Sequence, residues 1–330
     1  MQQFFDIEQA YVAGPSFLTI GNFDGLHRGH QLLLRRLQEL AAEASPGGGG
    51  PPPYTGIVTF DPHPLTVLRP GQFQPLLTTP QERLDLAAAL GIDLGVIQPF
   101  TPALANMTPK EFLLLLKDHL GMAGLGVGPG FTPGRNPSGG IATLRRLGEG
   151  LDYTPHVVEP LVGAGEVQVR SSVIREALLQ GDVAGAAELL GRHYTVSGEV
   201  VVGDGRGRQL GIPTANLQTP PAKLLPANGV YATLARTHSS AGAELYASVT
   251  NLGVRPTVDG HERRLETHLL DFPRAGHSSD LYGQPLDILF VAHLRAEQRF
   301  PGLAALVAQI QRDIAEARLL LQPMLSPQRA

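Results

Sequence analysis

The spacing of apolar residues changes partway along this chain. In the first half, short apolar runs alternate with longer stretches patterned at three- and four-residue spacing. Residues 16–20, 56–60 and 94–98 are compact runs bounded by turn residues, and another short run ends at Val127, as buried strands do. Between them, residues 30–43 set Leu33, Leu37, Leu40 and Ala44 on a helical stripe, and residues 79–90 read as a second helix. Thr108-Pro109-Lys110-Glu111 is a capping box with proline at the first helical position, opening a helix to about Leu120. The leucines from Leu113 to Leu116 belong to its core face. This alternation predicts a doubly wound parallel sheet of Rossmann-like type.

After Tyr194 the pattern becomes one of strands. Residues 195–202, 229–236, 244–250, 263–271 and 285–294 read as strands separated by turn residues, with no helix until about Pro301. That predicts a small antiparallel β-barrel. Leu303, Leu306, Ile310 and Ile314 then recur at helical spacing and predict a C-terminal helix with one face on the barrel. Residues 181–191 read as a helical connector. The expected division is an α/β domain over 1–185 and a β domain over 186–330.

Several short stretches carry chemistry. The first strand runs through Gly21-Asn22-Phe23-Asp24-Gly25-Leu26-His27-Arg28-Gly29-His30 into a helix. Such a turn aims free N–H groups and the positive dipole end at an anion, and histidines three apart can face one pocket. Asp61-Pro62-His63-Pro64 follows strand 56–60 at the edge where ligands collect in parallel sheets, although His63 also fits a stiff turn. Ser171 and Ser172 precede a helix with Arg175 one turn in, an arrangement a plain serine cap would share.

In the second half Gly203, Gly205, Gly207 and Gly211 lie within nine residues together with Arg206 and Arg208. Glycine lets backbone N–H groups crowd an anion, and arginine matches phosphate oxygens. By their glycines alone these residues read as an ordinary hairpin loop with a proline turn. Thr214 and Asn216 follow, two apart on an extended run, both offering the oxygen donors that suit Mg²⁺. Residues 249–257, with Asn251 and Arg255, read as a connection between two strands. Glu266 and His268 lie on the next strand, where a glutamate usually faces solvent.

The run from Gly207 to Leu217, Gly-Arg-Gln-Leu-Gly-Ile-Pro-Thr-Ala-Asn-Leu, resembles the signature of riboflavin kinases. The Gly21–His30 turn and the Ser171–Arg175 run resemble the phosphate-binding motifs of the nucleotidyltransferase superfamily. Nearly the whole chain is similar to the bacterial bifunctional FAD synthetases, which join a riboflavin kinase to an FMN adenylyltransferase. The resemblance implies ATP, riboflavin and FMN as substrates, FAD as product and Mg²⁺ as cofactor. It implies that Glu266 is the general base of the kinase and that Thr214 and Asn216 hold Mg²⁺ and ATP phosphates. Gly203, Gly205, Gly207, Arg208, Gly211, Asn251 and Arg255 would complete that site, with His268 structural. In the first half it implies that His27 and His30 stabilise charge as pyrophosphate leaves. Gly21, Phe23, Asp24, Gly25, Gly29, His63, Ser171, Ser172 and Arg175 would form the rest of the cradle.

One stretch departs from the family pattern. Gly130 stands where Asp or Asn is usual and Pro133 where Phe is common, while Arg135, Arg145 and Arg146 offer charge for phosphate. That departure keeps open a kinase whose first half no longer binds FMN; a reading of a different class is a flavin- or nucleotide-binding regulator that turns nothing over.

Composition narrows the picture further. At 330 residues and 42% hydrophobic the chain can bury two cores. A net charge of -4 gives no global positive field, so no nucleic-acid partner is expected and any phosphate must be held by local clusters. The absence of cysteine removes disulfides, thiolate metal sites and cysteine nucleophiles. The N-terminus lacks a basic start with an apolar core, and no apolar run reaches the length of a membrane span. A cytoplasmic protein whose partners are small molecules is expected, and the sequence does not fix an oligomeric state.

Overall fold

The computed structural model describes residues 1–45, 52–72, 74–128, 131, 140–159, 169–203, 205–239, 242–257, 260–273 and 281–325. They pack as two compact units, Met1–Ser171 and Ser172–Ala330.

The first unit contains β1 (Gln2–Phe4), β2 (Ser16–Ile20), α1 (Arg28–Glu43), β3 (Tyr54–Asp61), α2 (Pro64–Leu68), α3 (Pro80–Ala89) and β4 (Leu94–Pro99). It continues through α4 (Pro102–Asn106), α5 (Pro109–Leu120), β5 (Met122–Val127), α6 (Gly140–Leu151) and β6 (Thr154–Val157). The strands form one parallel sheet in the order β1-β4-β3-β2-β5-β6. Successive residues of a strand feed opposite layers. Leu18, Val58 and Val96 join Leu113, Leu116 and Leu120 of α5 on one face. Ile57 and Ile97 join Leu34 of α1 and Leu84 of α3 on the other. Both faces are covered, which is why these strands read as continuous apolar runs. The capping box of α5 is formed: Thr108 Oγ1 accepts from the Glu111 N–H at 3.3 Å and the Glu111 carboxylate accepts from the Thr108 N–H at 2.7 Å. The chain reverses direction across the sheet between β2 and β5, so the C-terminal end of β2 is a topological switch point.

The second unit opens with two helices, α7 (Ser171–Leu179, which starts at the division) and α8 (Val183–Leu190). The division at 185/186 expected from the sequence would fall within α8. Then come β7 (Tyr194–Val201), α9 (Arg206–Gln209), β8 (Ala215–Gln218), β9 (Gly229–Ser239), β10 (Gly242–Thr257), β11 (Gly260–Leu269), β12 (Pro285–Arg295) and α10 (Leu303–Leu325). The strands close into an antiparallel barrel in the order β10-β11-β8-β7-β12-β9. Closure leaves no free edge. One expectation is corrected here. Residues 249–257 do not connect two strands; they are the second half of β10, paired in register with β11 from Val249↔His268 to Thr257↔Gly260. The strand signal stopped early because Asn251, Gly253 and Pro256 are weak strand formers that cross-strand pairing overrides.

Thr233, Ser248, Thr250 and Thr267 are fully buried and satisfy one another through hydroxyl bonds of 2.7–2.8 Å. On the other side of the wall, Val230, Leu234, Val249 and Leu289 pack with Ala317 and Leu321 of α10. Arg295 at the end of β12 fastens that helix through a bidentate pair with the buried Asp313, Nη2 to Oδ2 at 2.8 Å.

Candidate active sites

In the first unit the turn between β2 and α1 sits at the switch point. His27 is the N-cap of α1, and its Nδ1 accepts from the His30 N–H at 3.4 Å. The two imidazoles stack with centroids 3.7 Å apart, and the His30 ring meets Phe23 edge-on at 5.1 Å. Gly29 makes room for this stack, since a Cβ there would lie 3.2 Å from the His27 ring. A Cβ on Gly21 would meet the Phe23 ring at the same distance. Burial first, then neighbouring His27 and Arg83, hold the His30 pKa well below its ordinary 6.5, so the ring is neutral. Its Nδ1 is buried with no hydrogen-bond partner among the described residues.

Phe23 and Leu26 hold φ of 46° and 37°, strained for residues with a side chain. Asp24 is buried, and its carboxylate accepts from the N–H groups of Leu77 and Thr78 at 3.2 and 3.0 Å. The Gly25 N–H donates to Thr78 Oγ1 at 2.8 Å. His63 caps α2 at the end of β3, its Nδ1 accepting from the Leu65 N–H at 3.2 Å. Ser171 reaches the turn from far along the chain, with its Oγ donating to the Asp24 carbonyl at 2.8 Å. Ser172 and Arg175 follow on α7, beyond the division between the units. Arg145 and Arg146 are on α6, whereas Gly130, Pro133 and Arg135 lie outside the described residues.

In the second unit, two adjoining chambers open on the barrel wall. One, of about 360 Å³, presents mostly apolar surface, from Leu210, Val249, Phe300, Leu306 and Ile310 among others, with His268, Arg295 and Asp313 also on its wall. The other, of about 230 Å³, is lined by Asn216, Asn251, Arg264 and the backbone at Gly205 and Gly253. Gly207, Thr214, Asn251, Glu266 and Glu297 border both. Glu266 therefore sits where a hydrophobic recess meets a polar one.

The strand register explains this placement. Glu266 on β11 is the partner of Asn216 on β8 and of Asn251 on β10, so the three form a row across the sheet. Alternation turns Thr267 into the barrel and Glu266 out toward the chambers. Asn216 Oδ1 is buried with no hydrogen-bond partner among the described residues, and an amide oxygen is a donor of the type that hard cations accept. Gly203 leaves room for that amide, because a Cβ there would stand 2.2 Å from Asn216 Nδ2. A Cβ on Gly207 would stand 2.4 Å from the Ile212 carbonyl oxygen. Gly205 and Gly211 have φ of 69° and 74°, and the stretch expected to be loop contains the single helical turn α9. His268 bonds the Pro213 carbonyl at 2.7 Å and steadies the backbone just before Thr214. The backbone of Arg255 lies in β10, while its side chain is outside the described residues.

Sequence reasoning missed Arg83 in the first unit and Arg264 and Glu297 in the second. Arg83 had one signal, its i,i+4 relation to the core residue Ala87 on a predicted helix. Arg264 shares a face with Glu266 two residues on, and Glu297 approaches from beyond β12 with no local signal.

A parallel-sheet nucleotide fold with a histidine-bearing turn, followed by a barrel with a carboxylate between two chambers, defines a pair of phosphate-handling transferase domains. Residues 11–173 match the family profile for FAD synthetase and residues 190–321 that for riboflavin kinase. The bifunctional riboflavin kinase/FMN adenylyltransferase of Escherichia coli K12 is 36% identical over 304 residues, 91% of each chain. That of Bacillus subtilis is 32% identical over 310 residues, 92% of this chain and 91% of the other. A crystal structure named as a macrolide-efflux protein from Streptococcus pneumoniae aligns with a TM-score of 0.83 at 26% identity, over 96% of this chain and 98% of that one. Among the described residues no helix is long and apolar enough to cross a membrane. The chain belongs to the family of bifunctional riboflavin kinase/FMN adenylyltransferases.

Proposed function

We propose that this chain makes FAD in two steps, each at its own site. In the second unit ATP phosphorylates riboflavin. The apolar chamber takes the flavin ring and the polar chamber takes the phosphates. Glu266 accepts the proton of the ribityl 5′-hydroxyl as that oxygen attacks the γ-phosphorus and ADP leaves. Thr214 and Asn216 would hold Mg²⁺, which when bound supplies charge neutralisation at the phosphates. The glycine turn from Gly203 to Gly211, with Arg208, closes over the phosphates. Asn251 orients the substrate beside Glu266, and Arg255 adds positive charge.

In the adenylyltransferase domain, assigned to residues 1–185, a phosphate oxygen of FMN attacks the α-phosphorus of a second ATP, and pyrophosphate leaves. His27 and His30 bind the triphosphate and stabilise its departing charge, with Ser171, Ser172 and Arg175 as further phosphate contacts. Gly21, Gly25 and Gly29 keep the backbone open, and His63 borders the same edge. A cytoplasmic setting with small-molecule partners is part of the proposal.

The observation that carries the kinase reading is the position of Glu266 on the seam of the two chambers, in register with Asn216. The test is a chromatographic product assay with riboflavin, ATP and Mg²⁺ in one tube and FMN, ATP and Mg²⁺ in another. FAD in both is the expected result. FMN from riboflavin with FAD in neither would leave only the kinase.

A further inference from the structure

Arg83 is the largest fully buried side chain among the described residues, and the reaction assigned to the first unit does not use it. A buried guanidinium is costly unless every N–H finds a partner. Here Nη2 donates to the Thr78 carbonyl at 3.0 Å and pairs with Asp24 Oδ1 at 3.4 Å. Nη1 donates to Thr59 Oγ1 at 3.2 Å and to the Phe60 carbonyl at 3.5 Å, and Nε donates to Thr78 Oγ1 at 3.4 Å.

These partners lead back to the histidine turn. Thr59 Oγ1 donates in turn to the Asn22 carbonyl at 3.1 Å. Thr78 accepts from the Gly25 N–H, and the Asp24 carbonyl receives Ser171. One planar cation therefore ties the end of β3, the residues before α3 and the turn at Asn22, Asp24 and Gly25. Within that turn Phe23 and Leu26 keep left-handed backbone, which persists only where the surroundings over-determine it.

We propose that Arg83 is a positioning residue for adenylyl transfer: through Asp24, Thr59 and Thr78 it holds the β2–α1 turn in the shape that presents His27 and His30 side by side. The inference rests on the adenylyl-transfer reading of the first unit. A lysine cannot replace the fork, because its single ammonium cannot reach acceptors on both sides of the guanidinium group.

The test uses the full chain with Arg83→Met, Arg83→Lys and Thr59→Val. FAD formation from FMN is measured for kcat and for KM of ATP, well below the melting transition, with riboflavin phosphorylation in the same preparation as the internal standard. Arg83→Met is expected to lower kcat/KM for adenylylation about 100-fold, the scale of a small misplacement of reacting groups, with the kinase within about twofold. Arg83→Lys should recover part of the loss, and Thr59→Val should show a smaller loss in the same direction. Variants with a lower melting temperature but unchanged kcat and KM for ATP would make Arg83 an ordinary core residue and overturn the inference. If Arg83→Met does not fold, unchanged constants in both Arg83→Lys and Thr59→Val overturn it equally. Wild-type protein that makes no FAD would instead overturn the underlying reading and the inference with it. Wild-type FAD formation with unmoved variants overturns the inference alone.

Discussion

Asn216 and Glu266 are cross-strand partners, one on β8 and one on β11, with the Asn216 Oδ1 buried and without a hydrogen-bond partner among the described residues. A carboxamide oxygen and a carboxylate are thus placed side by side by strand register, although the two residues are far apart in the chain. A one-residue slip of either strand would turn its side chain into the barrel.

Removing the carboxylate should separate the two activities. Glu266→Gln keeps the shape of the side chain but cannot take a proton. FMN formation should fall by about 10²–10⁴-fold while adenylylation of supplied FMN continues. Equal loss of both activities in the product assay would take Glu266 out of the role of base.

Asn216→Leu removes the open oxygen. The Mg²⁺ concentration needed for half-maximal kinase activity should rise by about tenfold or more, the scale seen even for residues that only support metal ligands. A Mg²⁺ titration of riboflavin phosphorylation reads this directly. An unchanged midpoint would place the ion elsewhere.

Two glycines of the same turn should behave differently. In Gly203→Ala the new Cβ would stand 2.2 Å from Asn216 Nδ2, so the amide must move and kinase activity should fall with adenylylation intact. Gly211→Ala meets no atom within 4 Å, but its φ of 74° disfavours a side chain. It should cost stability, on the order of 1 kcal/mol by thermal unfolding, more than turnover.

His30 gives an acid dependence of stability. Its folded pKa lies below the ordinary 6.5, so the unfolded chain takes up the proton first as pH falls. Stability from this source is fully present above about 6.5 and is lost progressively below it, down to the folded pKa. The melting temperature of the full chain should fall between about pH 7.5 and about pH 5.5, and His30→Gln should fall less over the same range. An identical fall in the variant would assign the acid lability to other groups. The same variant should stop FAD formation and spare the kinase.

By itself the sequence determined the two architectures, because strand and helix periods depend on which face of each element is buried. Val58 and Leu84 show that periodicity directly, one on each side of the sheet. The glycine run, the paired histidines and Glu266 stood out through their resemblance to known families, since by spacing alone a glycine-rich loop and a strand glutamate are ordinary surface features. Only the tertiary structure decided that Glu266 stands between an apolar and a polar chamber, since that follows from the register of three strands. It alone turned Asp24 inward onto Leu77, Thr78 and Arg83, and brought Ser171 to the β2–α1 turn. Those contacts join residues 53 to 147 positions apart, and a buried hydrogen-bond knot of that reach leaves no periodic trace in the chain.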